Sequence, residues 1–226
     1  MAFSLKEVVP WGRTFEEYVE MFSLSGEDLA KRILGCGDGP ASFNTTLTSR
    51  GGRVVSIDPI YQFTAEEIYG RIDETYEIVM EQTRRNSHEF LWDRICSVEE
   101  LGEVRGAAMR DFLADYLSGK SQGRYVAGEL PQLPFADSSF DLALCSHFLF
   151  LYSDHFDAAF HLQSMKELCR VAGEVRVFPI LELGSVRSRH LEEIISTLSG
   201  EGYRLTVERV GYAFQKGGNE MLRVRL

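Results

Sequence analysis

The stretch Gly35-Cys36-Gly37-Asp38-Gly39 follows the apolar pair Ile33-Leu34 and precedes a segment suited to a helix. Glycines at alternate positions allow a sharp turn and leave room for a ligand against the backbone. The first N–H groups of the following helix have no partners of their own and can point at that ligand. Such turns also occur with no ligand, so the weight falls on what comes next. Asp58 closes the run Arg53-Val54-Val55-Ser56-Ile57. In nucleotide-binding α/β folds, an acid roughly 20 residues after the glycine turn accepts hydrogen bonds from ribose hydroxyls. The other reading of Asp58 is a loop aspartate that starts a turn with Pro59. Glu129 ends the short run that starts at Arg124, and Ser146-His147 ends the apolar run that starts at Phe140. A histidine at a strand end is a candidate general base. The other reading is a half-buried ring that hydrogen-bonds the backbone.

The elements that must hold these residues follow from periodicity. Apolar runs that alternate with amphipathic stretches predict a doubly wound, mostly parallel α/β sheet. Strands are expected at Ile33-Leu34, 53–57, 124–129, 140–146 and 174–178. Residues 203–210 and 220–226 alternate apolar and polar side chains around Gly217-Gly218-Asn219, as in an antiparallel pair that closes the sheet. Helices are expected at 13–24, from Ser25, at 41–49, at 154–171 and at 188–198. Thr14-x-x-Glu17, Thr64-x-x-Glu67 and Ser97-x-x-Glu100 are capping-box signals. Residues 60–124 are far longer than the dozen or so that a crossover between parallel strands requires. They are read as a helical insertion, either a lid over a substrate or a purely structural addition. Its Tyr61, Phe63, Tyr69, Tyr76, Phe90 and Trp92 suit a largely apolar pocket. Arg84, Arg85 and Arg105 would meet an acidic group there or lie exposed on a helical face. Residues 1–30 are read as a helical cover on one edge or over the mouth of a site.

A chain of 226 residues suits a single domain spanning 1–226, and 44% hydrophobic content provides a sizeable core. A net charge of −10 speaks against a broad nucleic-acid surface, which would need clustered Lys and Arg. No secretory signal is apparent, and the most apolar stretch, 140–152, is broken by Asp141, Ser146 and His147 and is too short to span a bilayer. Cys36, Cys96, Cys145 and Cys169 have no Cys-x-x-Cys spacing, so neither a metal site nor a dithiol motif is suggested. A cytoplasmic protein with reduced thiols is expected, with no membrane or nucleic-acid partner.

Taken together, Gly35-Cys36-Gly37-Asp38-Gly39, Ile57-Asp58, Gly128-Glu129, and Leu133-Pro134-Phe135 with Phe140-Asp141-Leu142 resemble the class I S-adenosylmethionine-dependent methyltransferases over about residues 30–59 and 124–226. The resemblance implies a seven-stranded sheet and methyl transfer to a small-molecule acceptor. It implies that Gly35, Cys36 and Gly37 approach the methionine portion of the cofactor. Asp58 would bind the ribose, Glu129 and Leu130 would meet the adenine, and Ser146 and His147 would flank the methionine and the acceptor. The sequence departs from that family in one place: Ile33 stands where an acid usually precedes the first glycine by two positions. The alternative is therefore a protein that keeps cofactor binding and has lost the chemistry. A nicotinamide-dependent dehydrogenase is disfavoured, because Pro40 stands where its fingerprint wants Gly or Ala. No Asn-Pro-Pro-Tyr-type motif for nucleic-acid amines is present.

Overall fold

The computed structural model describes residues 9–225. The chain order is α1 (Phe15–Met21), α2 (Gly26–Leu29), β1 (Arg32–Cys36), α3 (Phe43–Ser49), β2 (Arg53–Ile57), α4 (Ala65–Arg85), α5 (Val98–Ser121), β3 (Tyr125–Val126), β4 (Leu142–Ser146), α6 (Ala158–Val171), β5 (Glu174–Phe178), α7 (Leu191–Gly200), β6 (Arg204–Arg209) and β7 (Glu220–Arg225). The strands form one seven-stranded sheet in the order β3-β2-β1-β4-β5-β7-β6. Neighbours from β3 to β5 are parallel, and β7 runs against both β5 and β6. This is the doubly wound, mostly parallel sheet with a terminal antiparallel pair expected from the sequence.

The pleat separates the core into two layers. Ile33, Leu142 and Leu144 face α1 and α3, together with Phe15, Tyr18 and Phe43. Leu34, Cys36, Ala143 and Cys145 face α6 and α7, together with Met165, Leu168 and Ile194. Burial on both faces explains why β4 reads as a continuous apolar run.

Local signals place most helix starts. Thr14, Ser25 and Thr64 each accept the N3 backbone N–H, and the N3 carboxylate returns the bond to the cap N–H. At Ser97 only half of the box forms: Ser97 caps Glu100 N, but Glu100 Oε2 accepts from Cys96 N at 2.6 Å. Boundaries shift elsewhere. α6 starts at Ala158 because Asp157 caps it, and residues 148–156 form turns. α7 starts at Leu191 rather than Ser188 and runs through Gly200. β3 is only Tyr125–Val126, which leaves Gly128 and Glu129 in the loop beyond it.

The long segment between β2 and β3 contains α4 and α5, packed against each other. Ile68, Ile72, Met109, Phe112 and Tyr116 make a third core cluster with Tyr61 and Tyr125 at the β3 edge. α1 and α2 form the described part of the N-terminal cover, and residues 1–8 of that expectation lie outside the described residues. No described helix is long and apolar enough to cross a membrane.

Candidate functional site

The glycine turn leaves the carboxyl end of β1. Gly37 has φ +67°, and a Cβ there would sit 2.9 Å from Phe148 Cβ. Only glycine meets both conditions. Gly37 N donates to Ile57 O at 3.0 Å, which ties the turn to the end of β2. Asp38 folds its carboxylate back beneath the turn. A Cβ on Gly35 would fall 1.8 Å from Asp38 Oδ2, so Gly35 makes room for that carboxylate. Gly35 is not part of the cavity lining, whereas Cys36, Gly37 and Asp38 are. The Tyr18 hydroxyl donates to Asp38 Oδ1 at 2.8 Å and Ser56 Oγ donates to Oδ2 at 2.6 Å. Burial pushes the Asp38 carboxyl up to about 7. The bonds from Ser56 and Tyr18 oppose the rise and the charge of Asp58 adds to it.

Asp58 sits at the end of β2 and starts the turn considered for it. Its Oδ1 accepts from Ile60 N at 2.9 Å, which starts the turn through Pro59, and its Oδ2 accepts from Gly39 N at 2.9 Å. It also lines the cavity. A carboxylate offers about four acceptor positions, so these two bonds leave capacity for a ligand. Burial raises it to about 6 against the two backbone N–H groups, and Glu129 contributes like charge. Glu129 and Leu130 line the same cavity from the loop after β3.

Ser146 and His147 enter from the end of β4. His147 has φ +50°, an uncommon conformation for a side chain of its size. Its N–H donates to Phe178 O at 2.7 Å, and its ring packs edge-on to Phe178 at 5.4 Å between centroids. Nδ1 lies 3.0 Å from Ser146 Oγ. Burial, then the charges of Arg13 and Arg105, hold the imidazole well below its usual range, so it is neutral. Ile33 is fully buried in the α1/α3 layer and does not line the cavity.

The cavity encloses about 510 Å³ over the carboxyl ends of β1, β2 and β4, within the usual range for small-molecule sites. Of the aromatic residues expected from 60–124, Phe63 and Phe90 line it. Tyr61 is buried in the third cluster, Tyr69 is exposed, Tyr76 packs on Trp11, and Trp92 packs on Phe90 and Phe214. Sequence reasoning missed the rest of the aromatic wall, to which Trp11, Phe148, Tyr152, Phe156, Tyr212 and Phe214 contribute. These lie on loops and turns, where no periodicity marks them.

The arginine expectation also changes. Arg84 pairs with Glu81 and Glu99, and Arg85 pairs with Glu81, all away from the cavity. Arg105 is neither exposed nor in the lining. It is 1% exposed and grips Glu17 through both terminal nitrogens. The Tyr212 hydroxyl donates to Glu17 Oε1 at 2.8 Å. Burial works against this carboxylate, but the charge and hydrogen bonds of Arg105 hold it down at about 2. Among the described residues, no group of His, Cys, Asp or Glu is placed to hold a metal ion.

The chain is 32% identical over 223 residues to MJ0045, an uncharacterized protein of Methanocaldococcus jannaschii, covering 98% of both chains. It belongs to the same family as that protein. No family model matches the chain. Among solved structures, it is similar to PH0226 from Pyrococcus horikoshii, with 14% identity, TM-score 0.45, and coverage of 86% of this chain and 81% of that one. It is also similar to the magnesium protoporphyrin IX methyltransferase of Synechocystis with bound SAM, at 13% identity, TM-score 0.45, and 88% and 73% coverage. A SAM-dependent methyltransferase of Methanosarcina mazei matches at 15% identity, TM-score 0.43, and 87% and 91% coverage. At such distances it is the strand order and the cavity of this chain that carry the reading of its site.

Proposed function

We propose that the chain transfers a methyl group from S-adenosylmethionine to a small-molecule acceptor. The observation that carries this reading is the shared cavity at the sheet's carboxyl edge. It brings the glycine turn, Asp58, Glu129 and Ser146-His147 together from separate strand ends, where ligands bind in doubly wound sheets. The residues fit the cofactor. The backbone at Gly37 has no Cβ in the way, Asp58 keeps free acceptor positions, and Leu130 offers an apolar face beside Glu129. Asp58 would hold the ribose, Glu129 and Leu130 the adenine, and Cys36, Gly37 and Ser146 the methionine portion. Asp38 supplies a carboxylate within the turn, although residue 33 does not.

When bound, S-adenosylmethionine supplies a sulfonium methyl group that is already reactive. The protein's part is to hold the acceptor in line and to exclude water, and alignment alone can lower a barrier by roughly 7–11 kcal/mol. No dedicated nucleophile is required. His147, neutral and held at both its backbone N–H and its Nδ1, is a weak base. Its role in this reading is to orient the acceptor by a hydrogen bond. The aromatic walls favour an acceptor with an extended apolar portion.

The second reading, cofactor binding without chemistry, draws support from Ile33 and from the weak basicity of His147. The first experiment is a thermal shift. S-adenosylhomocysteine at about 100 times its Kd stabilises by about 2.7 kcal/mol, or about 5–10 °C for a chain of this size, whereas NAD leaves the melting temperature unchanged. No shift at millimolar S-adenosylhomocysteine defeats both readings. Mass spectrometry of a ligand released from the denatured protein then identifies what occupies the cavity.

A further inference from the structure

Arg13 is a cavity residue that none of the roles above uses. Its backbone is fixed against the glycine turn. Ser42 N donates to Arg13 O at 3.0 Å. A Cβ on the preceding Gly12 would fall 2.2 Å from Pro40 O and 2.9 Å from Met109 Cγ, so this segment lies flush on the turn and on α5. The side chain lines the cavity. Nη1 donates to Trp11 O at 2.6 Å, and Nε is buried with no hydrogen-bond partner among the described residues. Glu17, the carboxylate whose charge Arg13 feels, is already held by Arg105 and Tyr212. Burial, then the charge of Arg105, lowers Arg13 to about 10, which leaves it a cation at neutral pH.

Arg13 is half-buried, yet its Nε is shut away from water without a hydrogen-bond partner, which is unfavourable, and the planar fork of a guanidinium matches a carboxylate in two-point hydrogen bonding. We infer that Arg13 anchors a carboxylate that enters this cavity, with the body of the ligand against Trp11, Tyr152 and Tyr212. The methyl-transfer reading bears only on the source of that carboxylate, which is either the amino-acid end of the cofactor or the acceptor.

Calorimetry on the full chain and on Arg13→Gln and Arg13→Lys separates the sources. The first pair of probes is S-adenosylhomocysteine and 5′-methylthioadenosine, which lacks the amino-acid carboxylate. The second is 2-naphthoate and 2-naphthylmethanol, run with and without S-adenosylhomocysteine. A charge-assisted pair predicts that the wild-type preference for the carboxylate member of one pair falls by about tenfold to a hundredfold in Arg13→Gln. Arg13→Lys should keep part of it. Loss in the first pair assigns the carboxylate to the cofactor, and loss in the second assigns it to the acceptor. Equal preferences in wild type and Arg13→Gln for both pairs overturn the inference, as does a wild-type protein that favours neither carboxylate. If neither adenosine compound binds, the methyl-transfer reading fails separately, and the naphthyl pair still decides the role of Arg13. Arg13 has no ion-pair partner among the described residues, so ligand-free Arg13→Gln should lose only the bond to Trp11 O and melt at most a few degrees below wild type. A large drop would mean that Arg13 holds the fold together, and would also overturn the inference.

Discussion

Asp38→Asn removes a charge and keeps the shape of the side chain beneath the glycine turn. Asp38 is 7% exposed, and burial raises its carboxyl from 3.8 to about 7. The folded protein therefore holds this proton up to about pH 7, whereas the unfolded chain releases it near the ordinary value. Between those limits the folded state binds more protons, so this group makes stability fall as the pH rises. One unit is 1.36 kcal/mol, so a rise of about three units sets a ceiling of about 4 kcal/mol on that loss. Asparagine has no such proton to release. Any fixed difference in hydrogen bonding to Tyr18 and Ser56 moves the whole curve without tilting it. In urea denaturation between pH 4.5 and 8, the variant should therefore gain on wild type steadily up to about pH 7 and level off above it. A difference between the two proteins that does not change with pH would mean that Asp38 ionises normally in the folded state, and the assignment of a burial-raised carboxyl would be wrong.

Glu17→Gln leaves the buried Arg105 without its carboxylate and should destabilise by about 3–5 kcal/mol at pH 7. Because folded Glu17 is held at about 2, below its ordinary value of 4.5, the gap to wild type should narrow as pH falls from 4.5 towards 2, which denaturant titration at pH 3 and 7 would show. Asp58→Ala should weaken S-adenosylhomocysteine binding by about 1.5–3 kcal/mol in calorimetry. Ligand-free stability should also drop by about 1–2 kcal/mol, because Gly39 N and Ile60 N lose their acceptor. Gly37→Ala should lower stability by about 1–2 kcal/mol from its φ of +67° alone, and a neutral result in urea titration would mean that the turn readily rearranges.

The fold was legible because its signals are local. The apolar runs of β1 and β4, the glycines after strands and helices, and the caps at Thr14, Ser25 and Thr64 each act within a few residues. Where helix starts depart from expectation, another local bond has won. Glu100 takes the N–H of Cys96 instead of completing its box, and Asp157 starts α6 later than the apolar spacing suggests. In β5, Glu174 and Arg176 alternate with Val175 and Val177, a pattern that normally marks a solvent-facing side. Here α1 and α2 cover that side, and Arg176 is buried between Glu174 and Asp28. No window within β5 records that cover.

The site was legible only in part, for a related reason. Cys36, Gly37, Asp58, Glu129, Leu130, Ser146 and His147 stand at the carboxyl ends of strands or just beyond, and parallel strands with known ends define one edge. Charge does not follow that rule, because the fate of an ionic side chain depends on which opposite charge reaches it first. Arg105 and Arg13 are both cations beside Glu17. Arg105 comes from α5 on the long crossover and takes both carboxylate oxygens, which leaves Arg13, next to the glycine turn, facing the cavity. Without Arg105, Glu17 would be left to Arg13, the other cation beside it. The pairing joins residues 88 positions apart, so the same local sequence around Arg13 is compatible with either outcome until the crossover is in place. The long segment between β2 and β3 thus shapes the cavity by occupying Glu17 as well as through the walls it contributes.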